Sequence, residues 1–262
     1  MICFIEENME IILLLGAGIL AGAINSLAGG GSFILFPALL LAGVPPVMAN
    51  ATNTFASLPG YISGAIGFYS DIKKHKAMLV PYISAALVGG FLGAELLLRV
   101  TDAQFSIVVP YLMALAVFLF AFGNKINVWI SSGSNKTKNS SLFAYITLLI
   151  LLTLICLYGG FFNAGLGIIL LAFFALAGMK DIHSMNGLKL LLSAIVAFIA
   201  VMRFIWSDSI AWQEGLTAFV GTLIGGYIAA RFAHLIPAKI LRTSIIIYGV
   251  VLVIVFFFQA YK

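Results

Sequence analysis

Two glycine-rich segments hold the residues whose types and spacing most favour ligand binding. In the first, Asn25 and Ser26 precede Gly29, Gly30, Gly31 and Ser32; in the second, Asn163 precedes Gly165 and Gly167. Glycine permits the positive φ angles that interrupt a helix. A helix that begins after such a break offers N–H groups and the positive end of its dipole, which favour an anion. The alternative is that the glycines only let helices pack closely, and we prefer that interpretation for Gly89-Gly90 and Gly225-Gly226.

A second set of polar residues lies at helical spacing. The first group is Asn50, Thr52, Asn53 and Ser57, and its counterpart is Asn186, Lys189 and Ser193. Positions i, i+3 and i+7 share one face of a helix, and polar side chains on an apolar helix face a bundle interior or a cavity. Lys189 would add one positive charge to a donor-rich site. Two alternatives stay open: Asn50 caps its helix while the others bond between helices, or Lys189 snorkels to the membrane surface.

The elements that must position these residues are transmembrane helices. Of the 262 residues, 63% are hydrophobic and 9% are charged, with a mean hydropathy of +1.15. A soluble domain is nearer a quarter charged, and the apolar runs of about 20 residues are long enough to cross a bilayer. They lack the period-two alternation of a porin-like barrel. The sequence therefore predicts an all-α polytopic integral membrane protein in contact with the lipid bilayer.

The remaining composition excludes other classes. The basic residues behind the net charge of +5 lie in short loops, which is typical of membrane topology and no indication of nucleic-acid binding. Two distant cysteines and three scattered histidines predict no metal site, no cofactor and no enzyme active site. Because acidic Glu6, Glu7 and Glu10 precede the first apolar run, we interpret that run as a retained helix and not as a signal peptide.

Charged residues near the ends of apolar segments are interpreted as structural. Glu95 and Arg99, at positions i and i+4 near the end of a segment, predict a local ion pair. Arg203 also lies near the end of its segment, where a long basic side chain is expected to snorkel to the membrane surface.

The apolar segments form two halves. Residues 1–123 and 142–262 each contain five segments, and a polar linker, residues 124–141, joins them. An offset of 136 maps Gly31 onto Gly167, Asn50 onto Asn186 and Ser57 onto Ser193. In each half, a short segment follows the glycine-rich break (31–43 and 166–178). Short, glycine-interrupted segments at matching places in two halves indicate the binding site of a transporter.

Basic residues predict how the halves are oriented. Lys73, Lys74 and Lys76 follow the third segment, whereas the matching loop around Ser207–Ala211 carries only Asp208. Under the positive-inside rule, matching loops lie on opposite sides of the membrane. We therefore expect inverted repeats in the inner (plasma) membrane, with both termini outside and either eight or ten crossings.

The same segments resemble a known family. Residues 21–37, Ala-Gly-Ala-Ile-Asn-Ser-Leu-Ala-Gly-Gly-Gly-Ser-Phe-Ile-Leu-Phe-Pro, and residues 50–60, Asn-Ala-Thr-Asn-Thr-Phe-Ala-Ser-Leu-Pro-Gly, are similar to the TauE/SafE sulfite exporters. Gly-Gly-x-x-Gly-Ala at 89–94 and the second-half repeat extend the resemblance over essentially the whole chain. The resemblance implies a permease for sulfite or small organosulfonates such as sulfoacetate. The second break departs from the family pattern, with Gly165-Leu166-Gly167 in place of three glycines.

The leading hypothesis is an exporter of small sulfur oxyanions whose site combines both halves. Its proposed binding residues are the two sets above. An inside-negative potential drives anions outward, and no acid lies centrally in an apolar segment to couple protons. Alternatives are transport of another anion or a neutral metabolite, or a non-transporting membrane subunit. A homodimer is one assembly that we consider.

Overall fold

The computed structural model describes residues 2–27, 30–133, 142–232 and 238–260. Side chains are described for residues 9–25, 30–119, 121–122, 142–143, 145–228, 243 and 246–258. Within these ranges the chain forms helices and no strands. The helices are α1 (Ile2–Leu27), α2 (Ser32–Leu41), α3 (Pro46–Gly67), α4 (Tyr69–Lys73), α5 (Lys76–Arg99), α6 (Asp102–Gly133), α7 (Leu142–Phe161), α8 (Leu166–Leu176), α9 (Ile182–Trp206), α10 (Trp212–Phe232) and α11 (Ala238–Ala260).

The helices have the length and polarity of a membrane bundle. In the described part of the chain, three stretches are long and apolar enough to cross a bilayer: Lys76–Arg99, Asp102–Leu119 and Ile182–Trp206. Shorter apolar stretches are Met9–Asn25, Ser32–Leu41, Tyr145–Phe161, Leu166–Leu176 and Ile246–Phe258. Large apolar side chains such as Val80 and Ile66 are exposed on the outside of the bundle, where hydrocarbon would cover them. The all-helical membrane class predicted from composition is confirmed.

Helix boundaries reproduce the repeat. Helices α3 and α9 begin at residues 46 and 182, α5 and α10 at 76 and 212, and α6 and α11 at 102 and 238, so each pair is 136 residues apart. Contacts are also reciprocal: α1 packs on α10 as α7 packs on α5, and α3 packs on α10 as α9 packs on α5. At the breaks the offset differs. Gly30 and Gly165 both have positive φ angles, and their carbonyls accept from Phe33 and Ile168, three residues further on. Gly30 therefore corresponds to Gly165 at an offset of 135, and Gly31 does not, as predicted, correspond to Gly167.

Each break reverses the chain. A Cβ on Gly31 would overlap the carbonyl of Ala21, ten residues earlier, and a Cβ on Gly159 would meet the side chain of Leu166. A helix that merely kinked would carry Gly31 about 15 Å beyond Ala21. Helices α2 and α8 therefore fold back against the ends of α1 and α7. They have 10 and 11 residues, so each spans about 15 Å, half of a ~30 Å hydrocarbon core.

The two short helices end at opposite ends of the bundle. After α2, the Val47 N–H donates to Asp102 at the start of α6, at 2.8 Å; we name this the Asp102 end. After α8 come Asp181 and His183, whose ring stacks on Phe68 beside α4; we name this the Lys74 end. Since α2 and α8 run outward to opposite ends, both begin in the interior of the bundle.

Glycines bring five helices into close contact. A Cβ on Gly22 of α1 would overlap Thr222 of α10, and one on Gly225 would overlap Ile19. In α5, a Cβ on Gly89 would overlap residues of α7, and a Cβ on Gly90 would overlap residues of α9. Small residues allow such close approach in membranes, where packing replaces the hydrophobic effect as the driving force. The packing role predicted for Gly89, Gly90 and Gly225 is confirmed.

Three details differ from the sequence-based expectation. Helix α3 begins at Pro46 and not near residue 50, because proline fits the first helical position, which needs no N–H donor. The short helix α4 was not predicted. Helix α6 extends to Gly133, so the backbone is helical through residues 124–133 of the predicted linker; residues 134–141 lie outside the described residues.

Candidate functional site

A buried cavity lies where α2 and α8 begin. It is lined by Asn25, Gly30, Ser32, Tyr61, Asn163, Gly165, Gly167, Ile168, Leu171, Lys189, Leu190 and Ser193. These residues come from both breaks and from the crossing helices α3 and α9. The space open to a water-sized sphere is about 20 Å³, enough for about one water molecule. In this conformation, a group of four heavy atoms could enter only if the walls moved apart.

Positive φ angles form both breaks. Gly30 has φ of 124° and Gly165 has φ of 83°, values that strain any residue with a Cβ. In the second break, the Tyr158 hydroxyl donates to the Ala164 carbonyl at 2.8 Å, which satisfies a buried backbone acceptor. The N–H groups of Ile168 and Ile169 bond back to Gly165. The Gly167 N–H, in contrast, has no acceptor within the described chain, and Gly167 lines the cavity.

Lys189 is the charged residue of the cavity wall. Its stem lies across Gly167, where an added Cβ would be 3.3 Å from Lys189 Cδ. Its ammonium donates to Asn186 Oδ1 at 3.2 Å. No carboxylate is among the described residues that line the cavity. Lys189 thus places a positive charge beside the first turn of α8, whose dipole end is also positive, and an anion between them would relieve that repulsion.

A hydrogen-bonded pair joins the two halves at the cavity. The Tyr61 hydroxyl donates to Asn163 Oδ1 at 2.8 Å, and both side chains are buried. Asn25 lines the cavity beside them, and its Nδ2 group lies next to Gly60, the residue before Tyr61. Asn163 Nδ2 is buried without an acceptor in the described structure. Tyr61 was not among the predicted site residues, because one tyrosine in an apolar helix has no pattern that separates it from the core.

Ser32 carries the first-half contribution from α2. Its hydroxyl oxygen accepts a hydrogen bond from Asn53 Nδ2 at 3.1 Å, so Asn53 lies directly behind the cavity wall. Asn53 Oδ1 is buried without a partner among the described residues. Ser193, which belongs to the polar face of α9, is buried and lines the cavity from the other side.

Other predicted residues lie outside the cavity wall. The Asn50 side-chain amide donates to the Phe161 carbonyl at 2.8 Å, a backbone acceptor at the C-terminal end of α7. Asn50 does not cap α3, whose N-cap is Pro45. The Thr52 hydroxyl accepts from the Ala211 N–H at 3.0 Å. Ser57 is buried. Gly31 packs against α1, and Asn186 contacts the cavity only through Lys189. Gly29 and the Ser26 side chain lie outside the described residues.

Two charged clusters lie near the ends of the bundle. At the Lys74 end, Asp181 caps α9 by accepting from the His183 and Ser184 N–H groups. The Ser184 hydroxyl also donates to the Asp181 carboxylate, and this bond, together with the two from the N–H groups, lowers the pKa of Asp181. The nearby Asp71 hydrogen bond raises the pKa of Lys74. Near the Asp102 end, Glu95 binds Arg99 at 3.1 Å, as predicted, and also Arg203 at 2.8 Å. The sequence did not predict this ion pair of Arg203.

Comparison with known proteins identifies the family. The family model described as "Sulfite exporter TauE/SafE" matches residues 14–256, which include both breaks and all of the cavity-lining residues. The chain belongs to the TauE/SafE family. Its general function is therefore membrane transport, and the resemblance noted in the sequence is confirmed.

Curated relatives agree with this general function. The chain is 29% identical over 240 residues to "Probable membrane transporter protein ORF9" of Sinorhizobium sp, covering 91% of this chain and 88% of the relative. It is 28% identical over 258 residues to "Probable membrane transporter protein YfcA" of Escherichia coli K12, covering 95% and 90%. "Sulfite exporter TauE/SafE family protein 3" of Arabidopsis thaliana is 29% identical over 119 residues, 43% of this chain and 24% of that protein. No solved structure matches the chain.

Proposed function

We propose that this TauE/SafE transporter exports a small sulfur oxyanion, sulfite or a two-carbon sulfonate such as sulfoacetate, across the inner membrane. One observation carries the proposal: helices α2 and α8, from different repeats, begin at a single buried cavity that Lys189 lines and that no carboxylate of the described chain lines. Two positive helix ends and an ammonium together attract an anion.

The donors of the cavity suit an oxyanion with three acceptor oxygens. The Lys189 ammonium, the Asn163 Nδ2 group and the Gly167 N–H each have a free donor position in the described structure. The Ser32 hydroxyl accepts from Asn53, which leaves its own proton free to donate. Hydrogen bonds to a charged group are worth about 1.5–3 kcal/mol each, so a few of them offset much of the cost of removing the anion from water.

The packing supports inverted repeats and alternating access. The α4 segment follows α3 and lies beside the start of α9, whereas Ala211 follows α9 and binds Thr52 near the start of α3. Matching connections are therefore at opposite ends of the bundle. Since the cavity has no room for a sulfonate in this conformation, we propose that the two repeats move relative to each other to open it to one side and then to the other.

We propose that the Lys74 end lies inside the cell, and the distribution of charge supports this orientation. The described loops and helix ends there carry four lysines against two aspartates: Lys73, Lys74, Lys76, Lys180, Asp71 and Asp181. The Asp102 end carries two arginines against four acids: Arg99, Arg203, Glu95, Asp102, Asp208 and Glu214. Under the positive-inside rule, α8 then ends in the cytoplasm, and outward movement of a monoanion gains about 2.3 kcal/mol per 100 mV, or roughly 50-fold.

Equilibrium dialysis of the purified protein tests the ligand. Labelled sulfite, sulfoacetate, sulfate and taurine are compared, with taurine as the zwitterion that carries no net charge. Binding of sulfite or sulfoacetate that taurine does not compete away is the expected result. If no member of the panel binds at millimolar concentration, or if taurine alone binds, the proposed function is wrong.

A further inference from the structure

Tyr61 lies at the meeting point of the two repeats, next to its own repeat equivalent. The 136-residue offset pairs position 61 with Ala197, and Tyr61, Ala194 and Ala197 form one buried cluster. Positions that correspond in a two-fold repeat and also touch each other lie close to its axis. Two large side chains would overlap there, so one repeat supplies the ring and the other supplies alanine. The consequence is an asymmetric polar group, the tyrosine hydroxyl, beside a nearly symmetric cavity.

The hydroxyl fixes the direction of one amide. Because Asn163 Oδ1 accepts from the Tyr61 hydroxyl at 2.8 Å, its Nδ2 group, on the other branch of the planar amide, points away from that hydroxyl. That Nδ2 group is buried without an acceptor in the part of the chain described, while Asn163, only 1% exposed, lines the cavity. Rotation of the amide by 180° would give Tyr61 a donor in place of an acceptor and would turn Oδ1 towards the cavity, where it would repel an anion.

We propose that Tyr61 is a positioning residue that holds Asn163 with its donor directed at the transported anion, so that it selects against ligands which need an acceptor there. This inference rests on the anion function proposed above. Asn25, from the helix end before the first break, lines the same cavity as Tyr61 and Asn163. The anion therefore contacts one repeat through a residue that the other repeat orients.

A double-mutant cycle tests the positioning role. The variants are Tyr61→Phe, which keeps the ring in its buried cluster, Asn163→Ala, and the two combined. Affinity for the anion that the parent binds most tightly is measured by equilibrium dialysis, and the unfolding temperature is measured without ligand. We expect Tyr61→Phe to weaken anion binding about 3- to 10-fold, and to cause no further loss when Asn163 is already alanine. A role only in packing would lower the unfolding temperature and leave affinity unchanged, or would give additive losses.

A second tyrosine provides the matched control. Tyr82 is a buried tyrosine of α5 that lies outside the cavity wall. Tyr82→Phe removes the same hydroxyl group from a buried ring, so it should leave anion affinity unchanged. Loss of affinity in Tyr82→Phe as large as in Tyr61→Phe would show that the effect is general to buried tyrosines, and it would overturn the positioning role.

The outcomes separate this inference from the proposed function. Unchanged affinity in Tyr61→Phe, or additive losses in the double variant, overturns the positioning role while anion binding by the parent still stands. Failure of the parent to bind any anion of the panel overturns both, even if the unfolding temperatures show that Tyr61 and Asn163 are coupled.

Discussion

At Lys189, the stem and the ammonium have different surroundings. The stem packs over Gly167 and the ammonium bonds to Asn186, while the cavity-lining residues that the structure describes include no acid. In the described structure, the ammonium lacks the carboxylate that usually compensates a charge inside a protein. A bound anion would supply that compensation, which would explain why a lysine is tolerated where its repeat counterpart, Asn53, is neutral.

Removing the charge of Lys189 should weaken anion binding strongly. Lys189→Gln keeps much of the stem and a donor group, so the fold should survive, but it loses a charge-assisted hydrogen bond worth about 1.5–3 kcal/mol. Equilibrium dialysis should show affinity falling roughly 10- to 150-fold. Arg99→Gln is the matched control, because Arg99 is largely exposed at the end of α5 and should affect affinity little. Equal affinity in parent and Lys189→Gln would make Lys189 a structural residue.

Polarity made some cavity residues predictable from sequence and left others hidden. Asn163, Lys189 and Ser193 could be predicted because a polar residue in an apolar helix needs a polar or wet environment. The same reasoning selected Asn50 and Thr52, which satisfy backbone groups of neighbouring elements instead. Sequence alone does not separate these two uses, because both need a buried polar side chain and differ only in which partner lies opposite. The apolar wall residues of the cavity were hidden for the converse reason, because in sequence they resemble core.

Among the helices, the close contact of α1 with α10 depends on the absence of side chains. Gly18 and Gly22 meet Gly221 and Thr222 at backbone distance. The sequence predicted close packing from the glycine pairs, but the partner of each helix could not be read from it, because several helices carry similar glycines.

Adding one methyl group at this contact should destabilise the bundle. Gly22→Ala would place Cβ against the Thr222 backbone, and overpacking of this kind costs about 1–3 kcal/mol. The unfolding temperature in detergent should fall by several degrees. Gly16→Ala, on the same helix with nothing within 4 Å of the added Cβ, should leave the unfolding temperature unchanged or raise it, since alanine favours helix. Equal effects at both positions would show that α1 does not pack on α10 as described.

The cap of α9 should make stability depend on pH in the acid range. Hydrogen bonds lower the pKa of Asp181 in the folded protein, so its contribution is complete above the unfolded pKa of about 3.9 and is lost as pH falls through the folded pKa. Asp181→Ala should therefore unfold at a lower temperature than the parent at pH ~6, with the gap closing towards pH ~3. Asp181→Asn, which retains a capping oxygen but does not titrate, is the control. A gap of constant size across this range would exclude the carboxylate cap.

For the whole molecule, the halves are related by packing as well as by sequence. Three pairs of helices begin 136 residues apart, and their contacts exchange between repeats. A fixed offset was visible in the sequence because equivalent polar and glycine positions survive in both halves. At the breaks the offset is 135, so the predicted offset was wrong there by one residue, since glycines at 165 and 167 are equally good candidates until the backbone conformation is known.

Membrane orientation can be tested with single cysteines. In a variant without Cys3 and Cys156, cysteines are placed at Ser70 and Gln213, both exposed. Ser70 lies in α4, between α3 and α5, and Gln213 lies in the first turn of α10, directly after the matching connection between α9 and α10. We expect a membrane-impermeant maleimide to label Gln213→Cys in intact cells and Ser70→Cys only after the membrane is opened. Labelling of both from the same side would contradict the inverted arrangement.

Transport of a labelled anion under an imposed voltage tests the central claim most directly. Proteoliposomes are loaded with sulfite or sulfoacetate, and a potassium-diffusion potential is imposed with valinomycin while pH and sodium are equal on both sides. The account predicts efflux that increases as the interior becomes more negative, that reverses with the sign of the potential, and that Lys189→Gln slows strongly. Efflux equal to that of protein-free liposomes would contradict anion transport by this protein. Efflux that requires a proton or sodium gradient would contradict transport that the membrane potential alone drives.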